Sequence, residues 1–221
     1  MQYHKIQSLF FRDRSTNKLM LDQWSRPEFG LLKDMQWEWT EKVDGMNMRI
    51  IWDGETGQFR IAGKTDNANI PPALYDRMLR LVDEVGGDFI IACDSRPFTI
   101  YGEGYGGKIQ KGSKYSTEMD FVMFDVRIHD AWMERDFVRD LGAITGIPVA
   151  PVVGSGTIDE AIQCVKGGLK SRWGDFNAEG LVIRPPVELK NKWGERVIAK
   201  VKEVDYCLPS GKEMHVQPNR S

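Results

Sequence analysis

The sequence predicts an α+β fold in which antiparallel sheets are flanked by helices. Three observations carry this. Strand-like and helix-like runs do not alternate regularly, as a doubly wound parallel sheet would require. The turn signal Asp53-Gly54 separates two β-forming runs at hairpin distance. Helical spacing is confined to a few separate stretches, around 71–85, 134–145 and 157–167.

Taken in order, residues 1–38 read as an irregular lead-in with short elements, its Phe10, Phe11 and Trp24 packed against the body. From Trp37 to Ile51 bulky and polar residues alternate, and 47–52 reads as a strand with 58–62 as its return. Pro71-Pro72 opens a helix to about Val85, with Leu74, Met78, Leu81 and Val85 on one face and Gly86-Gly87 ending it. Phe89 to Cys93 and Phe98 to Tyr101 are short apolar runs of strand type, and Gly102 to Gly112 reads as a glycine-rich loop with lysines. Phe121 to Ile128 is a strong strand. Helices are expected over 134–145 and 157–167, the second capped by Thr157. Strands follow at Leu181–Arg184 and Val197–Val201.

No repeat and no Pro/Gly/Ser-rich linker divides the 221 residues, so a single domain over 1–221 is expected. A hydrophobic fraction of 41% with 28% charged residues describes a folded, water-soluble chain and not a disordered one. Lys plus Arg is 30 against 32 for Asp plus Glu, a net charge of −2, which excludes a uniformly basic nucleic-acid binder but not a local basic patch. No run reaches the roughly 18 apolar residues of a membrane helix, and Met-Gln-Tyr-His-Lys has no apolar core of a signal peptide. Cys93, Cys164 and Cys207 are isolated, so no disulfide framework or zinc site is readable, and a reducing cytoplasm is the expected home.

Five local patterns carry chemistry. Glu41-Lys42-Val43-Asp44-Gly45 sets a lysine before an acid and a glycine; alone it reads as an ordinary surface turn. Tyr101-Gly102-Glu103-Gly104 holds a carboxylate between glycines. Phe121-Val122-Met123-Phe124-Asp125-Val126 is an apolar strand with one acid inside it, costly unless that acid has a partner. Ala178-Glu179-Gly180-Leu181-Val182-Ile183-Arg184 puts an acid at the head of another apolar strand. In Val197-Ile198-Ala199-Lys200-Val201-Lys202 the two lysines, two apart, share one strand face.

In this order the five patterns resemble the motif series of the covalent nucleotidyltransferases, which include polynucleotide ligases and mRNA capping enzymes. Thr40-Glu-Lys-Val-Asp-Gly-Met-Asn47, Gly63-Lys-Thr-Asp-Asn-Ala-Asn-Ile-Pro71 and Tyr101-Gly-Glu-Gly-Tyr-Gly-Gly-Lys-Ile-Gln-Lys-Gly112 are similar to the RNA-ligase domain of the RNA ligase 2 type, especially small phage-encoded members. The similarity runs from about residue 3 to residue 206. It implies the adenylation-domain fold of ATP-dependent ligases, and ATP and Mg²⁺ (or Mn²⁺) as cofactors.

The resemblance also implies roles. Lys42 matches the lysine that attacks the α-phosphorus of ATP and carries AMP; to attack, it must lose its proton. Lys200 and Lys202 match the pair that supplies positive charge around the phosphates. Glu179 matches a metal-associated carboxylate, with Asp125 as a second candidate; magnesium keeps waters, so one or two carboxylates suffice. Glu103 matches the acceptor for ribose hydroxyls, Phe124 the ring that stacks on adenine, and Asn47 an asparagine near the nucleotide. Glu41 and Val43 flank the lysine in the nucleotide site. Lys64 departs from the family, which usually places arginine there; lysine keeps the charge and loses the planar fork.

The segment 105–115 carries Lys108, Lys111 and Lys114 without an acid and is expected to track a nucleic-acid backbone, the alternative being a solvated loop. The partner implied is a nicked duplex of RNA, with DNA possible, and the expected state is a monomer. Two competing readings are a capping-type guanylyltransferase and a nucleic-acid-binding protein without ligation activity. The expected absence of an OB-fold after Lys202, where only 203–221 remain, argues against the first, and the complete motif set against the second. His4, His129 and His215 match no motif and read as structural or exposed.

Overall fold

The computed structural model describes residues 2–110 and 112–206. Lys111, Cys207 and His215 lie outside them. The chain opens with the short strands β1 (Gln7–Ser8), β2 (Phe10–Arg12) and β3 (Leu19–Trp24) and the single-turn helix α1 (Pro27–Leu31). Strand β4 (Trp37–Glu41) leads through 42–45 into the hairpin of β5 (Met46–Asp53) and β6 (Gln58–Gly63). Helix α2 (Pro72–Ala92) precedes β7 (Phe98–Tyr105), β8 (Asp120–Ile128) and β9 (Ala131–Trp132). Helix α3 (Arg135–Thr145), β10 (Val152–Gly156), α4 (Ile158–Lys166), β11 (Gly180–Arg184), β12 (Ala199–Lys202) and α5 (Glu203–Tyr206) follow.

Two five-stranded sheets dominate. One has the order β1-β12-β11-β4-β10 and the other β6-β5-β7-β8-β9, with β2 and β3 paired apart. Among these strands every pairing is antiparallel except β1 with β12. Each sheet buries one face. The first packs Trp37, Leu181, Ile183 and Val201 against Phe29 of α1 and Ile158, Ala161 and Val165 of α4. The second packs Met48, Ile50, Ile100 and Phe121 against Leu74, Met78, Leu81 and Phe89 of α2 and Val138 and Leu141 of α3. Thr157 caps α4 reciprocally with Glu160, as its sequence predicts.

Two expectations fail here. Gly86-Gly87 does not end α2, and 89–93 is not a strand but the last turns of that helix, with Cys93 as its C-cap. The buried stripe Leu74, Met78, Leu81 continues to Phe89 at helical spacing. Gly86 lies against the Phe59 ring, where a Cβ would come within 2.9 Å, so this glycine serves close packing and not termination. Likewise 102–105 is strand and not loop. Ladders on both edges, Asn47 opposite Glu103 and Glu103 opposite Val122, hold this glycine-rich stretch extended.

Charged staples join the two sheets. Asp125 of β8, fully buried, accepts from Arg184 of β11 at 2.8 Å, from Arg196 at 2.9 Å and from the Tyr3 hydroxyl at 2.5 Å. Burial alone would raise the Asp125 pKa, but the two guanidinium groups hold it well below the usual carboxylate range. Arg135 of α3 bonds Glu38 of β4 and the carbonyls of Phe124 and Ala150. These paired charges fix the spacing of the walls between which the motif residues meet.

Candidate active site

The Lys42 segment sits where the chain leaves one sheet for the other. Glu41 ends β4, and the Lys42 N–H still donates to the Gly180 carbonyl at 2.9 Å. Met46 then begins β5 in the second sheet. A cavity of about 230 Å³ opens at this crossing. Its lining combines Lys42, Val43 and Lys200 with Asn47, Lys64, Glu103 and Phe124.

The Lys42 Nζ is 2.6 Å from one oxygen of Glu179, and Lys202 Nζ is 2.5 Å from the other. One carboxylate thus bridges the lysine of the first motif and a lysine of the last. The antiparallel pairing of β11 and β12 produces this: Gly180 lies opposite Lys202, which puts Glu179 beside it. Gly180 has φ +149°, and a Cβ there would lie 2.0 Å from the Val201 carbonyl oxygen. The glycine after the acid is therefore a requirement of close strand approach. Lys200 shares the strand face of Lys202 and lies half-buried. Its pKa is lowered by burial and by the charges of Lys202, Lys42, Lys5 and Arg12.

Glu103 faces the same cavity from β7. Burial pushes its pKa up to about 7; Lys42 opposes this, Glu179 and Asp44 add to it, and the Gly45 N–H donates to it. The Asn47 Oδ1 is buried without a hydrogen-bond partner among the described residues. Phe124 reaches the cavity from β8 at a slip in register. Tyr101 pairs with Asp125 while Gly102 pairs with Met123, leaving Phe124 as the extra residue of a bulge. Lys64 is exposed at the cavity edge.

Some expected residues take other places. The Glu41 carboxylate is buried and accepts from Ser171 Oγ at 2.6 Å and the Arg172 N–H at 2.7 Å, so its side chain anchors the 171–172 segment, and only the residue's position flanks the nucleotide site. Asp125, the second metal candidate, does not reach the cavity: it is fully buried, with Tyr3, Arg184 and Arg196 on its oxygens, whereas Glu179 stays partly exposed. Asp125 organises the wall behind Phe124. Lys108 and Lys114 are exposed, and the Lys114 ammonium lies 6.0 Å over the Phe176 ring.

The motifs did not reveal the N-terminal wall. Tyr3, His4, Lys5 and Ile6 line the cavity. Tyr3 is pinned by its bond to Asp125, and its ring meets Phe124 edge-on at 5.0 Å. His4 packs between Tyr3 and Trp132; burial, with Arg196, lowers its pKa to about 4, so it lines the site as a neutral ring. No motif signal marks these residues, because the fold brings them there across more than a hundred positions. Arg184, at the end of the Glu-Gly strand, also borders the cavity, with a buried Nε that has no partner among the described residues.

Residues from both sheets, a lysine–carboxylate–lysine bridge and a ring-lined cavity make up the candidate site. The RNA ligase family model matches residues 35–202, and the chain belongs to that family. Its fold is similar to that of RNA ligase from Naegleria gruberi. An arginine-to-alanine variant of that enzyme solved with ATP and Mn superposes with a TM-score of 0.68 at 16% identity, over 93% of this chain and 57% of that one. A glutamate-to-alanine variant with ATP and Mn gives 0.63 at 17% identity, over 93% and 58%. A lysine-to-methionine variant with AMP and Mn gives 0.62 at 16%, over 91% and 57%. The chain thus spans less than two thirds of the length of these relatives. No curated protein sequence matches it. Among the described residues no helix is long and apolar enough to cross a membrane.

Proposed function

We propose that this chain is an ATP-dependent polynucleotide ligase that carries AMP on Lys42 and seals 3′-hydroxyl to 5′-phosphate ends at nicks, RNA being the favoured strand. The observation that carries the reading is the convergence of Lys42, Lys200, Glu103 and Phe124 on one cavity, with Glu179 and Lys202 tied to Lys42 by ion pairs. The relatives solved with ATP, AMP and Mn support ATP and a divalent cation as the small-molecule partners.

The cleft divides the work. Phe124 offers a ring face to a base and Glu103 an acceptor to ribose hydroxyls. Asn47 brings an unpaired carbonyl oxygen to the same lining. Lys42 attacks phosphorus as a free amine and forms the P–N bond while the bond to pyrophosphate breaks; its proton leaves before or during attack. The ion pair with Glu179 ties its nitrogen down, so attack requires Lys42 to exchange that carboxylate for the phosphate. Lys200, crowded by other cations, favours an anion beside it and stabilises charge on the departing phosphates.

Glu179 is the carboxylate of the donor set that fits a divalent cation. Among the described residues no cluster of three or more acidic, histidine or cysteine side chains is gathered, which suits an ion that keeps most of its waters. When bound, such an ion supplies further neutralisation of phosphate charge. AMP then passes to the 5′-phosphate of a strand, and a 3′-hydroxyl expels AMP as the phosphodiester forms. Lys108, Lys111 and Lys114 serve as the local contact with that strand's backbone.

The test is incubation with labelled ATP or GTP and a divalent cation, followed by a panel of nicked and single-stranded substrates with RNA or DNA on each side. Label from ATP that disappears in Lys42→Ala, with sealing of nicks, is the expected result. Label from GTP alone would make it a capping-type enzyme, and no label from either would remove both readings.

A further inference from the structure

A second, larger cleft adjoins the nucleotide cavity. It measures about 1150 Å³, five times the 230 Å³ of the cavity, and the two share His4, Lys5 and Lys200. It is lined by the paired strands β1 and β12 together with β2, α5 and the 194–196 turn. A third cleft, of about 630 Å³, holds Lys114, Lys170 and Glu179 and meets the second at Lys202 and Val204. The second and third clefts therefore both border Lys202 of the Lys42–Glu179–Lys202 bridge.

The chemistry of the second cleft is that of an anion track. Among the described residues Lys5, Arg12, Arg26, Arg196, Lys200 and Lys202 line it against only Glu195 and Asp205. Both acids are already matched, Asp205 by Arg12 at 2.6 Å and Glu195 by Arg26 at 2.7 Å. Among the described residues Lys5 and Lys200 form no ion pair, in a chain whose net charge is −2. Phe11, expected from the sequence to pack against the body as Phe10 does, instead presents an exposed ring in the same lining, 50% accessible. Neutral hydrogen-bonding side chains, Gln7, Ser8 and Asn17 among them, complete the surface. A pyrophosphate would fill a small part of this volume and would leave the ring unused.

We propose that this N-terminal cleft binds the polynucleotide substrate, leading one arm of the nick away from the reacting phosphate, with Lys5 contacting a backbone phosphate and Phe11 stacking on a base. The proposal rests on the ligase reading for the identity of the strand, but not for the existence of the surface. Unpaired cations at a chain of low net charge concentrate binding in one place, and an aromatic face adds affinity that tolerates any sequence.

The experiment measures binding of a nicked RNA duplex bearing a 5′-phosphate, by fluorescence anisotropy over a salt series, for the wild type, Lys5→Gln and Phe11→Ala. Both side chains are exposed, and circular dichroism checks that both variants fold. Phe11→Ala is expected to weaken binding by about fivefold or more, with its label transfer from ATP unchanged. Lys5→Gln is expected to lower the slope of log affinity against log salt by roughly one. Unchanged affinity and unchanged salt slope in both variants would overturn the proposal, as would a wild type that does not bind the nick. So would a Lys5→Gln chain that binds the nick normally but needs more ATP, since the cation would then serve the triphosphate. A wild type that binds through Phe11 and Lys5 yet takes no label from ATP upholds the cleft and removes the ligase reading instead.

Discussion

Replacing Glu103 with glutamine tests whether the site is held ready at the expense of stability. The side chain keeps its shape and loses only its ability to ionise. In the folded chain burial lifts the Glu103 pKa from its ordinary 4.5 to about 7. Between those values the folded state binds more protons than the unfolded state, so stability falls as pH rises through the interval. The contribution is fully present below about pH 4.5 and is lost above pH 7. The interval corresponds to about 3 kcal/mol at most, reduced by whatever relaxation the neighbouring Lys42 and Glu179 allow. Glu103→Gln is therefore expected to unfold like the wild type at pH 5 and to be more stable at pH 8.5 by about 1–3 kcal/mol, or several degrees in Tm. Urea unfolding at a series of pH values reads this directly. Parallel pH profiles for the two chains would refute the reasoning. The same substitution is expected to weaken ATP binding at pH 8.5, because a carboxylate accepts from two ribose hydroxyls and an amide oxygen accepts less strongly.

Three further predictions address the frame of the site. Asp125→Asn leaves Arg184 buried without its counter-charge and Arg196 with Glu188 alone, and urea unfolding is expected to show a loss of about 3–5 kcal/mol; a loss under 1 kcal/mol would mean the network is relieved by water. Gly180→Ala forces a Cβ against the Val201 carbonyl and is expected to cost more than about 2 kcal/mol and to slow label transfer from ATP, since Glu179 moves with it. Lys64→Arg keeps the charge at the cavity edge and is expected to retain lysine adenylylation; a large loss in the labelling assay would mean that the position holds phosphate differently from its relatives.

Much of the candidate site was legible because its chemistry is carried by short contiguous patterns. Spacing assigns a common strand face to Lys200 and Lys202, while Lys42, Glu103, Phe124 and Glu179 are marked by resemblance to a known motif series, and Phe124 reaches the site at a bulge that spacing does not show. The misreadings share one cause. Gly86-Gly87 reads as a helix stop and Gly102 to Gly112 as a loop because glycine's local preference is weak in both helix and strand. Packing against Phe59 decided the first, and hydrogen-bond ladders on two edges decided the second. Asp125 reads as a candidate ligand because an acid in an apolar strand demands a partner, but the pattern does not say which. The partners are Arg184 and Arg196, roughly sixty and seventy positions away.

By itself the sequence determined the α+β class, the capped helix α4, the 53–54 hairpin and the identity and order of the motif residues, because each depends on neighbours within a few positions. Only the tertiary structure decided that Glu179 bridges Lys42 and Lys202, that Glu41 turns away to Ser171, and that residues 3–6 complete the cavity and open it onto a second cleft. Those facts depend on sheet register and on contacts between distant segments, which arise from the burial of two separate cores and leave no periodic mark in the chain.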